Sequence, residues 1–145
     1  MEKILATGEA LRPDWQVDGT TGYEFLALVT GWLMDDSGAA QLENLYRGIV
    51  GRAPSYEQVA CDSRRLVMRT TLAAETSMLA ARLDRLAQRH SDTAGFTLFD
   101  LREAIVEVLA AFPVYRTYVR DGEVGADDAA HVRRAVGIAR GRKQA

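Results

Sequence analysis

Cysteine occurs once in this chain, at position 61, so no disulfide can close within it. Such cysteine use fits a reducing compartment. Histidine is scarce too. His90 and His131 are far apart in sequence, and neither has a ligand-type neighbour at metal spacing. Charge of one sign is missing: 18 basic residues against 20 acidic ones leave a net charge of -2. Such a balance offers no field for a nucleic acid or an anionic membrane. No apolar run approaches the ~20 residues of a membrane helix, and the N-terminus lacks a signal-peptide core. These absences favour a cytoplasmic chain that needs no cofactor and no metal. Proline occurs three times, at positions 13, 54 and 113, so long stretches are free to be helical.

What is present is a packable composition. Of the 145 residues, 48% are hydrophobic and 26% charged, which suits one folded domain and not a disordered one. Residues 1–22 are rich in turn formers, including Gly8, Pro13, Asp14, Asp18, Gly19 and Gly22. A helix is predicted next. Thr21 and Glu24 have capping-box spacing, and Phe25, Leu28, Val29, Trp32 and Leu33 make one stripe. A second helix starts near Ser37, carries Leu42, Leu45, Tyr46, Ile49 and Val50, and stops at Gly51.

From Tyr56 to His90 neither proline nor glycine intervenes. Ser55 can cap this stretch, and Leu72, Leu79, Leu83 and Leu86 mark its buried side. If it breaks, Cys61-Asp62-Ser63 is the weakest point, since none of the three is a strong helix former. Thr97 and Asp100 can cap a further helix with Leu98, Leu101, Ile105, Val108, Leu109 and Phe112 on one face. Pro113 ends it. Val114 to Val119 is β-branched and aromatic, and Asp121-Gly122 follows as a turn signal, so a short strand is expected there. A last helix spans about 127–140, with Val132, Ala135, Val136 and Ala139 inward. The basic run Arg140-Gly-Arg142-Lys143 reads as a solvated tail. The fold class is therefore mainly α and bundle-like, with one or two short strands. It divides into an irregular 1–22, a helical 23–113, and a strand plus helix over 114–145.

Chemistry-bearing residues are few. Cys61 lies on a predicted helix with no histidine nearby, and reads as a small buried hydrophobe. Gly19-Thr-Thr-Gly-Tyr23 looks like a phosphate loop but lacks the Lys-Ser/Thr pair and a preceding strand. Tyr115, Arg116 and Tyr118 could stack on and hydrogen-bond a sugar, or could be alternate residues of a strand facing core and solvent. Residue types alone name no reaction.

Several segments taken together do more. Glu2-Lys-Ile-Leu5 precedes Glu9, Trp15 and Gly19-Thr-Thr-Gly-Tyr-Glu-Phe-Leu26. Leu101-Arg-Glu-Ala-Ile105 and Phe112-Pro-Val-Tyr-Arg-Thr-Tyr-Val119 come much later. In order and spacing this resembles the middle of maltooligosyltrehalose synthase, a (1→4)-α-D-glucan 1-α-D-glucosylmutase of the α-amylase clan. The resemblance covers nearly the whole chain. It implies a (β/α)₈-barrel enzyme that isomerises the reducing-end α-1,4 linkage of a maltooligosaccharide to α,α-1,1. These residues would be its helical insertion, with a barrel remnant at each end. It also implies that Glu2 matches the general acid and base, that Tyr23 walls the sugar pocket, and that Tyr115, Arg116 and Tyr118 contact substrate. The family's nucleophilic aspartate and third carboxylate belong to other barrel strands, so these residues alone are expected to be inactive and structural. Barrel-facing apolar surface left bare would favour self-association. The alternative is a freestanding helical module that binds a partner or a glucan without chemistry.

Overall fold

A computed structural model describes residues 1–52, 54–120 and 122–143, the last without its side chain. Six α-helices dominate: α1 (Tyr23–Leu33), α2 (Ala39–Val50), α3 (Tyr56–Arg69), α4 (Ala73–Ala87), α5 (Leu98–Ala110) and α6 (Ala126–Lys143). The mainly α class is borne out. No described helix is long and apolar enough to cross a membrane. The chain forms two compact units, Met1–Pro54 and Ser55–Ala145. Their boundary falls inside the 23–113 segment.

In the first unit, Lys3 and Glu9 are both nearly buried and pair at 2.7 Å. The second Glu9 oxygen accepts the Ala6 amide at 2.9 Å, so one carboxylate fixes the turn at residues 6–9. The start of α1 differs from expectation. Its N-cap is Gly22, with φ 88, and no side chain caps it. Such a left-handed residue favours glycine, which has no Cβ to clash. Glu24 accepts instead from the Thr20 hydroxyl, which holds its carboxyl below the usual range. A 3-10 turn over Asp36–Gly38 leads into α2, and Asp35 caps that turn through the Ser37 amide. Gly51 closes α2 with φ 69, as its position implied. The apolar stripes of both helices face outward. Phe25, Leu28, Trp32, Leu33, Leu42, Leu45 and Ile49 are all well exposed.

In the second unit the caps follow the sequence. Ser55 with Gln58, and Thr97 with Asp100, each form a reciprocal capping box. The long stretch does break, but at Thr70–Leu72 and not at Cys61–Ser63. Thr70 and Thr71 are stiff at χ1, and the Thr70 hydroxyl turns back onto the Leu66 carbonyl at the end of α3. The α3 and α5 helices run antiparallel, as two ion pairs show: Arg65 meets Glu107, and Arg69 meets Glu103. Beneath them Cys61, Met68, Val106 and Ala110 make a buried cluster.

Alanines do much of the packing. Ala80, Ala110 and Ala135 are at most 1% exposed, while Leu72, Leu79, Leu83 and Leu86 are only partly covered. Small residues let helices approach closely, so the leucines flank the seam instead of filling it. Cys61 is 3% exposed, as expected of a buried thiol. The run at Arg140–Lys143 is solvated as expected over Arg140–Arg142, but it is helical and not a loose tail, and Arg142 also contacts the Cys61 Sγ.

The expected strand at Val114–Val119 does not form. Among the described residues there is only an isolated bridge between Arg120 and Glu123. A strand needs a neighbour to take its backbone hydrogen bonds. Here the segment is held otherwise: Arg64 donates to Ala110 O and Phe112 O, and Asp128 accepts the Tyr118 amide. Of the Asp121-Gly122 turn signal, Asp121 lies outside the described residues, and Gly122 has φ 80.

Candidate functional site

The implied site residues fall into two groups, one in each unit. In the first, Glu2 is exposed on an irregular segment, and the Tyr23 hydroxyl donates to its Oε1 at 3.3 Å. Several features bring them together across 21 positions. The buried Lys3–Glu9 pair fixes the chain just after Glu2. The Met1 ammonium donates to Gly19 O at 2.9 Å, tying the start of the chain to the Gly19–Tyr23 segment. Gly22 then turns the backbone so that Tyr23 opens α1. The chemistry on offer is one carboxylate able to accept or give a proton, oriented by a phenol and open to solvent. Retaining glycosyl transfer needs a second carboxylate ~5 Å away, across the scissile bond.

In the second unit, Tyr115 is 88% exposed and presents a whole ring face. Arg116 stacks over the Tyr118 ring at 4.9 Å from its centre, a cation–π contact, and its Nε donates to Thr117 O. Tyr118 itself is partly buried, anchored through its amide on the buried Asp128. An exposed aromatic beside a guanidinium suits a sugar ring, which offers an apolar face and a rim of hydroxyls. Glu2 pairs with Tyr23, and Arg116 with Tyr118; the two groups belong to separate units.

Two supporting features escaped the sequence reading. The Lys3–Glu9 pair has no periodic signature, being six residues apart in irregular chain. The Arg65/Arg69 and Glu103/Glu107 pairs were legible in principle, because each set is spaced four apart on its own helix. Complementary stripes on two predicted helices are a signal for their packing. Glu107 is held below the ordinary carboxylate range mainly by hydrogen bonds from Arg65, which is correspondingly raised.

The chain is thus a helical segment that carries an exposed carboxylate–tyrosine pair in one unit and an arginine stacked on a tyrosine in the other. Comparison with known proteins gives that segment a context in trehalose-forming synthases. No family model matches the chain. A solved glycosyltrehalose synthase superposes on 98% of it with a TM-score of 0.69 and 29% identity, and the match spans 18% of that enzyme. Maltooligosyl trehalose synthases named from two strains of Mycobacterium tuberculosis are each 49% identical over 45 residues, which is 31% of this chain and 6% of theirs. The chain is therefore similar to one part of a maltooligosyltrehalose synthase, as its motifs implied.

Proposed function

We propose that this chain is the helical region of a maltooligosyltrehalose synthase, an enzyme that turns a reducing-end α-1,4 glucosidic linkage into α,α-1,1. The observation that carries this reading is the match to a glycosyltrehalose synthase along 98% of the chain. In that setting Glu2 serves as the general acid and base. It protonates the leaving oxygen, then takes the proton from the anomeric hydroxyl that attacks next. Tyr23 steadies the carboxylate and lines the pocket. Tyr115, Arg116 and Tyr118 grip the maltooligosaccharide. The nucleophilic carboxylate comes from elsewhere in the enzyme. Proton transfer alone contributes only ~10²–10⁴-fold, too little for turnover of a glycosidic bond by the isolated chain.

The test has two arms. Purified chain incubated with maltopentaose should yield neither a non-reducing product nor glucose. Co-expressed with a glycosyltrehalose synthase lacking the matched segment, it should restore non-reducing product, and its Glu2→Gln variant should not. Turnover by the chain alone that vanishes on Glu2→Gln would overturn the proposal. So would a failure to restore activity when both pieces are soluble and bind each other.

A further inference from the structure

Within the Met1–Pro54 unit, the chain around Glu2 is fixed by polar contacts more than by apolar burial. Ile4 is 64% exposed. Lys3, between Glu2 and Ile4, is only 7% exposed and lies inward, whereas Glu2 is at the surface. The Lys3 Nζ donates to Glu9 Oε1 at 2.7 Å, and Glu9 Oε2 accepts the Ala6 amide at 2.9 Å. One carboxylate thus joins positions 3, 6 and 9. A second reaches the same segment from α1. Glu24 accepts from the Thr20 hydroxyl at 2.5 Å and also from the Leu5 backbone. Its neighbour Tyr23 bonds Glu2, so the start of α1 holds the segment at both 2 and 5.

Stability is a poor reason for an ion pair so nearly buried. Taking two charges out of water costs about what their attraction returns, and an apolar pair of similar volume often serves as well. What an apolar pair cannot supply is direction. The ammonium must meet the carboxylate at hydrogen-bond distance, which leaves the Lys3 side chain one place to go. We infer that the Lys3–Glu9 pair is the positioning device for the Glu2 carboxylate. It fixes the backbone one residue along, and Tyr23 then meets Glu2 from α1. The inference rests on the reading of Glu2 as the group that gives and takes the proton. A group in that role must come within hydrogen-bond reach of the glycosidic oxygen. Misplacing it by about 1 Å can cost about a hundredfold in rate. Lys3 and Glu9 lie inside, so they act through Glu2 on the proton transfer and leave the grip on the sugar unchanged.

The experiment compares the wild-type chain with Lys3→Arg and with the double variant Lys3→Met, Glu9→Gln. The double variant removes both charges together, so no unpaired charge is left inside, and the glutamine keeps an oxygen for the Ala6 amide. Circular dichroism should show equal helix content in all three. In the ¹³C-labelled chain, nuclear Overhauser contacts between the Tyr23 ring and the Glu2 side chain should be present in wild type and Lys3→Arg, and lost in the double variant. Co-expressed with the synthase lacking the matched segment, the double variant should lower kcat about ten- to hundredfold with KM within about twofold. Lys3→Arg, which keeps the pair, should stay near wild type. A pair that merely holds the fold would reduce the yield of folded chain and leave kcat per folded molecule alone. Should the double variant not fold, Glu9→Asp withdraws the carboxylate by one methylene and gives the same comparison. Glu2–Tyr23 contacts that survive loss of the pair overturn the inference, as does an unchanged kcat or a rise in KM alone. If the wild-type chain restores no turnover, the synthase-segment reading falls instead, and the Glu2–Tyr23 contacts still judge the pair.

Discussion

Val106 shows what a single residue does in this core. It is fully buried, the largest side chain so enclosed, and it sits against Cys61, Met68 and Ala110. Removing two methyl groups there forfeits their transfer energy and leaves a void that rigid helices close only in part. Val106→Ala should therefore cost about 2 kcal/mol. Urea unfolding followed by circular dichroism would measure it, and a loss under about 0.5 kcal/mol would mean that the cluster is not the core of this unit. Such residues were only partly legible. Leu101 and Cys61 were expected inside and are. Val106 was not singled out, because hydrophobic periodicity favours large side chains, whereas the deepest positions here go to Ala80, Ala110 and Ala135. The caps at Ser55 and Thr97 were readable because capping is local: four consecutive residues hold all the information. Glu2 was readable only through a motif, since the tyrosine that orients it lies 21 positions away.

At the scale of elements, α3 and α5 are held in register by charge as well as by packing. Arg65 binds both Glu107 oxygens, at 2.8 and 2.5 Å, and also Asp62. The bidentate pair lowers the Glu107 carboxyl below its ordinary 4.5. Folding thus gains stability from the ionised form. That gain is fully present above the ordinary value and is lost as pH falls through the depressed one. Glu107→Gln should destabilise the chain at about pH 7 and much less at a pH acid enough to protonate the paired wild-type carboxylate. Denaturant midpoints for both proteins at the two pH values decide it, and an equal gap at both would show that the glutamine disturbs packing instead of charge. Element boundaries tell a related story. The break at Thr70–Leu72 is local, with the Thr70 hydroxyl bonding Leu66 O one turn back, whereas the absent strand at 114–119 depends on neighbours: a β-rich run finds no second strand among the described residues. Only the second is invisible to local propensity.

At the scale of the molecule, the first unit leaves apolar helix faces open. Trp32 is 84% exposed, Ile49 76%, and Leu28 and Leu33 73% each. The same periodicity that predicted α1 and α2 predicted a buried face for each, so the sequence specifies a partner surface that the first unit does not itself supply. In a synthase that partner would be the rest of the enzyme. For the isolated chain, a second copy is the available cover, because burying such stripes yields about 25 cal/mol per Å². Self-association is the expected outcome. Light scattering should report a mass that climbs above 16.0 kDa with concentration. Trp32→Glu with Ile49→Lys should hold the chain closer to monomer. Both positions are solvent-facing, so helix content should be unchanged by circular dichroism. The contact should also strengthen with sulfate, which favours apolar burial, and not weaken as a charge-driven contact would when salt screens it. A monomeric mass throughout the concentration series, with or without the two substitutions, would show that these faces do not drive association.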